Sequence, residues 1–144
     1  MRAFACKRDI TLVNIHSATM FMTHGFLRRV FEVFDRFQTS IDMVTTSEVN
    51  VSMTVENTEN LSQVKKELEK FAEVEIEKKL AIVSIVGSSI GTTEGVAARI
   101  FKALEKVNVR MISQGASLLN LSIVIAEADL ESAMKSLHAE WFGC

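Results

Sequence analysis

The chain repeats itself. The stretch "GFLRRVFEVFDRF" from Gly25 matches "GVAARIFKALEKV" from Gly95. Gly25 aligns with Gly95, Phe31 with Phe101, Phe34 with Leu104 and Phe37 with Val107, each pair 70 residues apart. Further on, "NVSMTV" (50–55) matches "NLSIVI" (120–125) at the same offset, and Leu68 matches Leu137 at 69. One small slip lies between, where "SIDMVTT" faces "NVRMISQ". A constant offset over two separate segments means a duplicated structural unit, so whatever one half folds into, the other folds into as well.

Each copy has the same order of elements. Residues 10–17, "ITLVNIHS", alternate apolar and polar as a strand does. After the loop "ATMFMTHG", Leu27, Val30, Phe31, Phe34 and Phe37 recur at three- and four-residue intervals, the stripe of an amphipathic helix. "IDMVTTSEV" and "NVSMTVEN" are rich in β-branched residues and pair as a hairpin. Leu61, Val64, Leu68 and Phe71 form a second helical stripe, and "EVEIEKK" alternates again. The second copy follows with "LAIVSIVG", a helix over 96–106, "RMISQGA", "LNLSIVIA" and a helix over 129–138, but it shows no last strand before "AEWFGC". The order β-α-β-β-α-β predicts an α+β, ferredoxin-like fold: an antiparallel sheet with both helices on one face. The first copy spans 10–79 and the second 80–144. A unit of this size has a modest core and open sheet edges, which predicts pairing into a homodimer.

Composition excludes several classes. A net charge of −2 and a pI near 5.9 leave no electrostatic footprint for nucleic acid. The strands that would stack RNA bases, "NVSMTV" and "NLSIVI", carry no aromatic residue. No apolar run nears the roughly 20 residues of a membrane span, and "MRAFACKRDI" has no signal-peptide core, so the expected compartment is the cytoplasm. Cys6 and Cys144 read as free thiols, and His16, His24 and His138 do not share metal-ligand spacing with them. "GSSIGTTEG" lacks the Gly-Lys-Ser/Thr ending of a nucleotide loop. A small hydrolase of the acylphosphatase type would want an arginine in the first loop, and "ATMFMTHG" has none.

Two places carry polar chemistry. Gly25 and Gly95 fall just before helices, where bare N–H groups and the positive end of the helix dipole face outward. Glycine there either permits a turn or lets a carboxylate approach the backbone. The second place is "DMVTTSEVN" (42–50), where Thr45, Thr46 and Ser47 stand between Asp42 and Glu48. It is either a wet edge strand or half of a site for a zwitterion, the carboxylates taking cationic groups and the Gly25 helix start an anion. The second copy replaces the stretch with "RMISQGASL" and loses both carboxylates, so any site belongs to the first copy.

"MTHGFLRRVFEVF…SIDMVTTSEVNVSMTV" with "LAIVSIVG…VNVRMISQGASLLNLSIVI" resembles the tandem ACT domains at the carboxyl end of aspartate kinases, nearest to the lysine-sensitive, single-function type. The resemblance covers residues 10–142. It implies a regulatory module that binds an end-product amino acid and shuts down a separate kinase domain. It also implies side-by-side pairing of two first ACT units with effector sites at the seam, and exchange of strands 10–17 and 80–87 between the two copies. Carried over by motif, the effector-binding positions are Met20, Thr23, Gly25, Phe26, Leu27, Ser40, Ile41, Asp42, Thr46, Ser47 and Glu48. Serine is common in the family where Thr23 stands. The resemblance favours lysine as effector, with threonine the other option. No glycine-rich kinase segment occurs in the sequence, so ATP and magnesium are expected to belong to a domain outside it. The remaining alternatives are a free-standing amino-acid sensor and a ligand-free dimerisation module.

Overall fold

In a computed structural model, the structure describes residues 3–17, 24–47, 49–88, 90–115 and 117–142. The elements run β1 (Ala3–His16), α1 (Phe26–Arg36), β2 (Val44–Thr46), β3 (Asn50–Val55), α2 (Leu61–Leu68), β4 (Glu73–Val86), α3 (Val96–Ala103), β5 (Val109–Gln114), β6 (Asn120–Ala126) and, after a short 3-10 turn (Glu127–Asp129), α4 (Leu130–Phe142). Internal packing divides the chain into two units. The first is Ile10–Lys78; the second joins the residues up to Asp9 with those from Lys79 onward.

In the first unit the hydrogen-bonded strand order is β2-β3-β1-β4. β3 pairs antiparallel with β1 from Thr11↔Val55 to His16↔Asn50, and with β2 from Val44↔Met53 to Thr46↔Val51. Strand alternation turns Val13, Ile15, Val51, Met53 and Val55 to one side, where they pack on Phe26, Val30, Val33 and Phe34 of α1 and Leu61, Val64 and Leu68 of α2. The α1 residues recur at i, i+4, i+7 and i+8, a stripe wide enough to face a sheet. α1 ends where Gln38 turns left-handed (φ 50°) and the Thr39 N–H closes on the Phe34 carbonyl at 2.9 Å.

The second unit has the order β1-β4-β6-β5. β6 pairs antiparallel with β4 from Leu80↔Ala126 to Val86↔Asn120 and with β5, where a bulge lies between Val109 and Met111. Its core sets Ala81, Val83, Ile85, Leu121, Ile123 and Ile125 against Ile100, Leu130, Ala133 and Leu137. The last strand that the sequence lacks at its end comes from the other end: the leading part of β1 belongs to this unit. Phe4 packs on its core and meets Trp141 edge to face, ring centroids 6.4 Å apart, and the Asp9 N–H donates to Glu127 Oε2 at 3.2 Å.

This corrects the expected exchange. Strands 10–17 and 80–87 each pair with the hairpin of their own copy, because Val13 and Ile15 complete the first core and Ala81, Val83 and Ile85 the second. The segment that crosses over is residues 3–9. β1 and β4 are single strands of 14 residues that run through both units, and each carries one left-handed residue at the boundary, Asp9 (φ 58°) and Lys79 (φ 59°).

Candidate functional site

Gly25 stands immediately before α1 in the left-handed conformation, φ 82° and ψ 6°. Its carbonyl accepts from the Arg29 N–H at 2.9 Å, which opens the helix. Gly25 offers no side-chain cap and no acidic residue occupies the first turn, so among the described residues the leading N–H groups have no local competitor for an anion. Gly95 repeats the geometry before α3, φ 81° and ψ −4°. Phe26 is buried, and its ring meets Phe71 edge to face at 6.2 Å. The Phe71 carbonyl accepts from Ser17 Oγ at 3.1 Å. These contacts set the helix start beside the carboxyl end of β1. The turn after β2 lies at the same end, because the Ser17 N–H donates to the Val49 carbonyl at 3.0 Å and the Ser47 N–H to the Asn50 carbonyl at 2.9 Å.

Ser40, Ile41 and Asp42 lie at the opposite end of β2, beyond the carboxyl end of α1. Ser40 and Ile41 line a cleft of about 440 Å³ with Phe31, Phe34, Asp35, Gln38 and Thr39. Asp42 is pinned by its N–H to the Thr54 carbonyl at 2.9 Å, and buried Thr54 receives the Met43 N–H on Oγ1 at 2.9 Å. The candidate residues therefore form two groups: Gly25, Phe26, Leu27, Thr46 and Ser47 at one end of the strand, and Ser40, Ile41 and Asp42 at the other. Four extended residues from Asp42 to Thr46 span about 13 Å. The six bonds from the carboxylate carbon of one lysine to its terminal nitrogen cannot exceed about 9 Å. Along the strand the two groups stand farther apart than one lysine is long. Met20, Thr23 and Glu48 lie outside the described residues.

β2 is an edge strand with all three residues exposed, which accounts for its polar run as a wet edge in the single chain. Large apolar side chains are exposed on α1 and β2 of the first unit: Leu27 at 42%, Phe31 at 38% and Val44 at 38%. Leu27 and Phe31 share one helix face at i, i+4.

Residues 83–141 match the ACT domain family. An aspartokinase from Candida albicans is 42% identical over 144 residues, 96% of this chain and 26% of its own length. A solved chain from Porphyromonas gingivalis W83, assigned as a C-terminal regulatory domain of aspartate kinase, is 37% identical over 97% of this chain and 96% of its own, with a TM-score of 0.87. The chain belongs to the aspartate kinase regulatory-domain family. Escherichia coli aspartokinase III, solved with lysine and aspartate in its T-state, is 37% identical over 98% of this regulatory domain and 33% of that chain, with a TM-score of 0.87. The domain thus spans between a quarter and a third of these kinases' length.

Sequence reasoning about this regulatory domain missed His16 and Asn50, which face each other across β1 and β3 with His16 Nδ1 2.8 Å from Asn50 Oδ1. The signal was available: a histidine closes one alternating strand and an asparagine opens its partner. Among the described residues, no cluster of His, Cys, Asp and Glu could hold a metal ion, and no helix is long and apolar enough to cross a membrane. Cys6 is a free, exposed thiol, and Cys144 lies outside the described residues.

Proposed function

We propose that this regulatory domain binds a free amino acid, with L-lysine favoured over threonine, at a seam between two first units paired through β2, and that binding inhibits an aspartate kinase catalytic domain. The carrying observation is the division of the candidate residues between the two ends of an exposed edge strand. Antiparallel pairing of β2 with the same strand of a second copy, about a two-fold axis, sets residues 40–42 of one chain beside residues 46–48 and the Gly25 helix start of the other. Each chain then supplies half of each site. The N–H groups near Phe26 and Leu27 hold the carboxylate, and Asp42 and Glu48 take the two ammonium groups. Exposed Leu27, Phe31 and Val44 supply apolar area for the seam. The lysine bound by Escherichia coli aspartokinase III in its T-state supports the choice of effector.

Inhibition requires only that lysine bind one arrangement of the kinase more tightly than the other; about 1–3 kcal/mol of coupling per site is typical. Phosphoryl transfer, with its ATP and magnesium, belongs to the kinase domain. Calorimetric titration with lysine, threonine and methionine tests the reading. The expected outcome is saturable lysine binding, and a higher melting temperature by mass action. Asp42→Ala or Glu48→Ala weakens the binding without changing the fold. No heat with any of the three amino acids refutes the sensor. A dimer that ignores all three leaves the ligand-free dimerisation module, which the exposed hydrophobic residues alone would favour.

A further inference from the structure

We propose that Asn50, oriented by His16, is a positioning residue for Ser47 of the amino-acid site. The inference rests on the functional reading above. Residues 47–50 join β2 to β3. The Ser47 N–H donates to the Asn50 carbonyl at 2.9 Å, and the Val49 carbonyl takes the Ser17 N–H at 3.0 Å, which ties the turn to the end of β1. The Asn50 side chain completes the clamp. Its Nδ2 donates to Ser47 Oγ at 3.4 Å, so its Oδ1 faces His16 Nδ1 at 2.8 Å. With the amide that way round, Nδ1–H is the donor. The three groups form a relay of one polarity, Nδ1–H to Oδ1 and Nδ2–H to Oγ. The Ser47 hydroxyl hydrogen is left to donate elsewhere, to a ligand at the site.

Surroundings and duplication both bear on the relay. Glu73 and Glu75 of β4 line the same cleft of about 270 Å³ as His16 and Asn50. In the second copy, Val86 stands opposite Asn120 where His16 stands opposite Asn50. There Ser117 Oγ instead accepts the Leu119 N–H at 3.1 Å. The His–Asn pair occurs in the copy that also has Asp42 and Glu48.

A double-mutant cycle on the full chain, read by lysine calorimetry, tests this. Asn50→Ala is expected to weaken lysine binding by about 3- to 10-fold, the range of one or two lost hydrogen bonds. The double variant Asn50→Ala/Ser47→Ala is expected to bind about as weakly as Ser47→Ala alone, because Asn50 acts through that hydroxyl. His16→Gln, which keeps a side-chain N–H donor, retains affinity, whereas His16→Leu loses as much as Asn50→Ala. Fully additive losses, or an Asn50→Ala variant that binds like the parent, overturn the positioning role and leave the amino-acid site standing. If Ser47→Ala binds like the parent, the assignment of Ser47 falls, and this inference with it. A parent chain that gives no lysine heat refutes the site itself, together with this inference.

Discussion

Gly25 and Gly95 offer a matched pair of perturbations. Both precede a helix in nearly the same left-handed conformation, φ 82° and 81°. A Cβ added at either would meet no atom of the described residues within 4 Å. An alanine at each site therefore costs stability through backbone strain alone. The left-handed region costs an L-residue about 1–2 kcal/mol, and the stiffer unfolded chain returns roughly 0.4–1 kcal/mol. The net loss is about 1 kcal/mol at both positions, which for a chain of this size lowers the melting temperature by about 3–5 °C. Ligand binding should separate them. No described residue fills the space beside Gly25, and the proposed carboxylate approaches the backbone there. A methyl group in that space should lower lysine affinity by at least about tenfold, or ~1.4 kcal/mol. Gly95→Ala should leave affinity unchanged. Thermal denaturation and lysine calorimetry on the two variants give both quantities. Stability losses differing by several kcal/mol would show that contacts, and not strain, decide them. Equal losses of lysine affinity would refute the assignment of the site to the first copy.

Two further outcomes follow from contacts away from the site. Deleting residues 1–9 removes Phe4 from Trp141, the chain's single tryptophan, and the Arg8 partner of Glu127 at 3.8 Å; tryptophan fluorescence should shift to the red and the second unit should melt earlier, and an unchanged spectrum would contradict the placement of this strand. The Lys70 Nζ hydrogen bond at 2.8 Å, against the opposing effect of burial and with help from the charges of Lys70 and Arg36, holds the Glu67 carboxyl below its usual range. Its stabilisation is thus present above the unfolded carboxylate value and fades as pH falls through the folded one, so urea midpoints of the parent and Glu67→Gln should converge on acidification.

Much of the fold was legible because burial imposes period. The stripe of Val30, Phe34 and their neighbours, and the strands facing Val51 and Met53, have to be regular to form a core. Boundaries were harder to read. The hairpin strand inferred over 41–49 is three residues long, Val44–Thr46, because polar residues on both faces leave it little to bury. "AFACKRD" has no alternation that reveals a strand, and its partners are in a unit that begins at Lys79. "EVEIEKK" and "LAIVSIVG" read as closing one copy and opening the next, yet they form one strand. At the site, residue types pointed to an ion-binding edge, but spacing along the chain could not show that Asp42 and Ser47 stand at opposite ends of it.

The crossed-over strand has a consequence for how the molecule is made. Residues 3–9 leave the ribosome well before the rest of the unit they complete, which ends with α4 at Phe142. At about 5–20 residues per second, they wait roughly 10–30 s for that unit to be synthesised. During that interval Ile10–Lys78 already holds every element of its own core, while a half-strand with an exposed cysteine dangles from its leading edge. A segment translated early thus finds its place late.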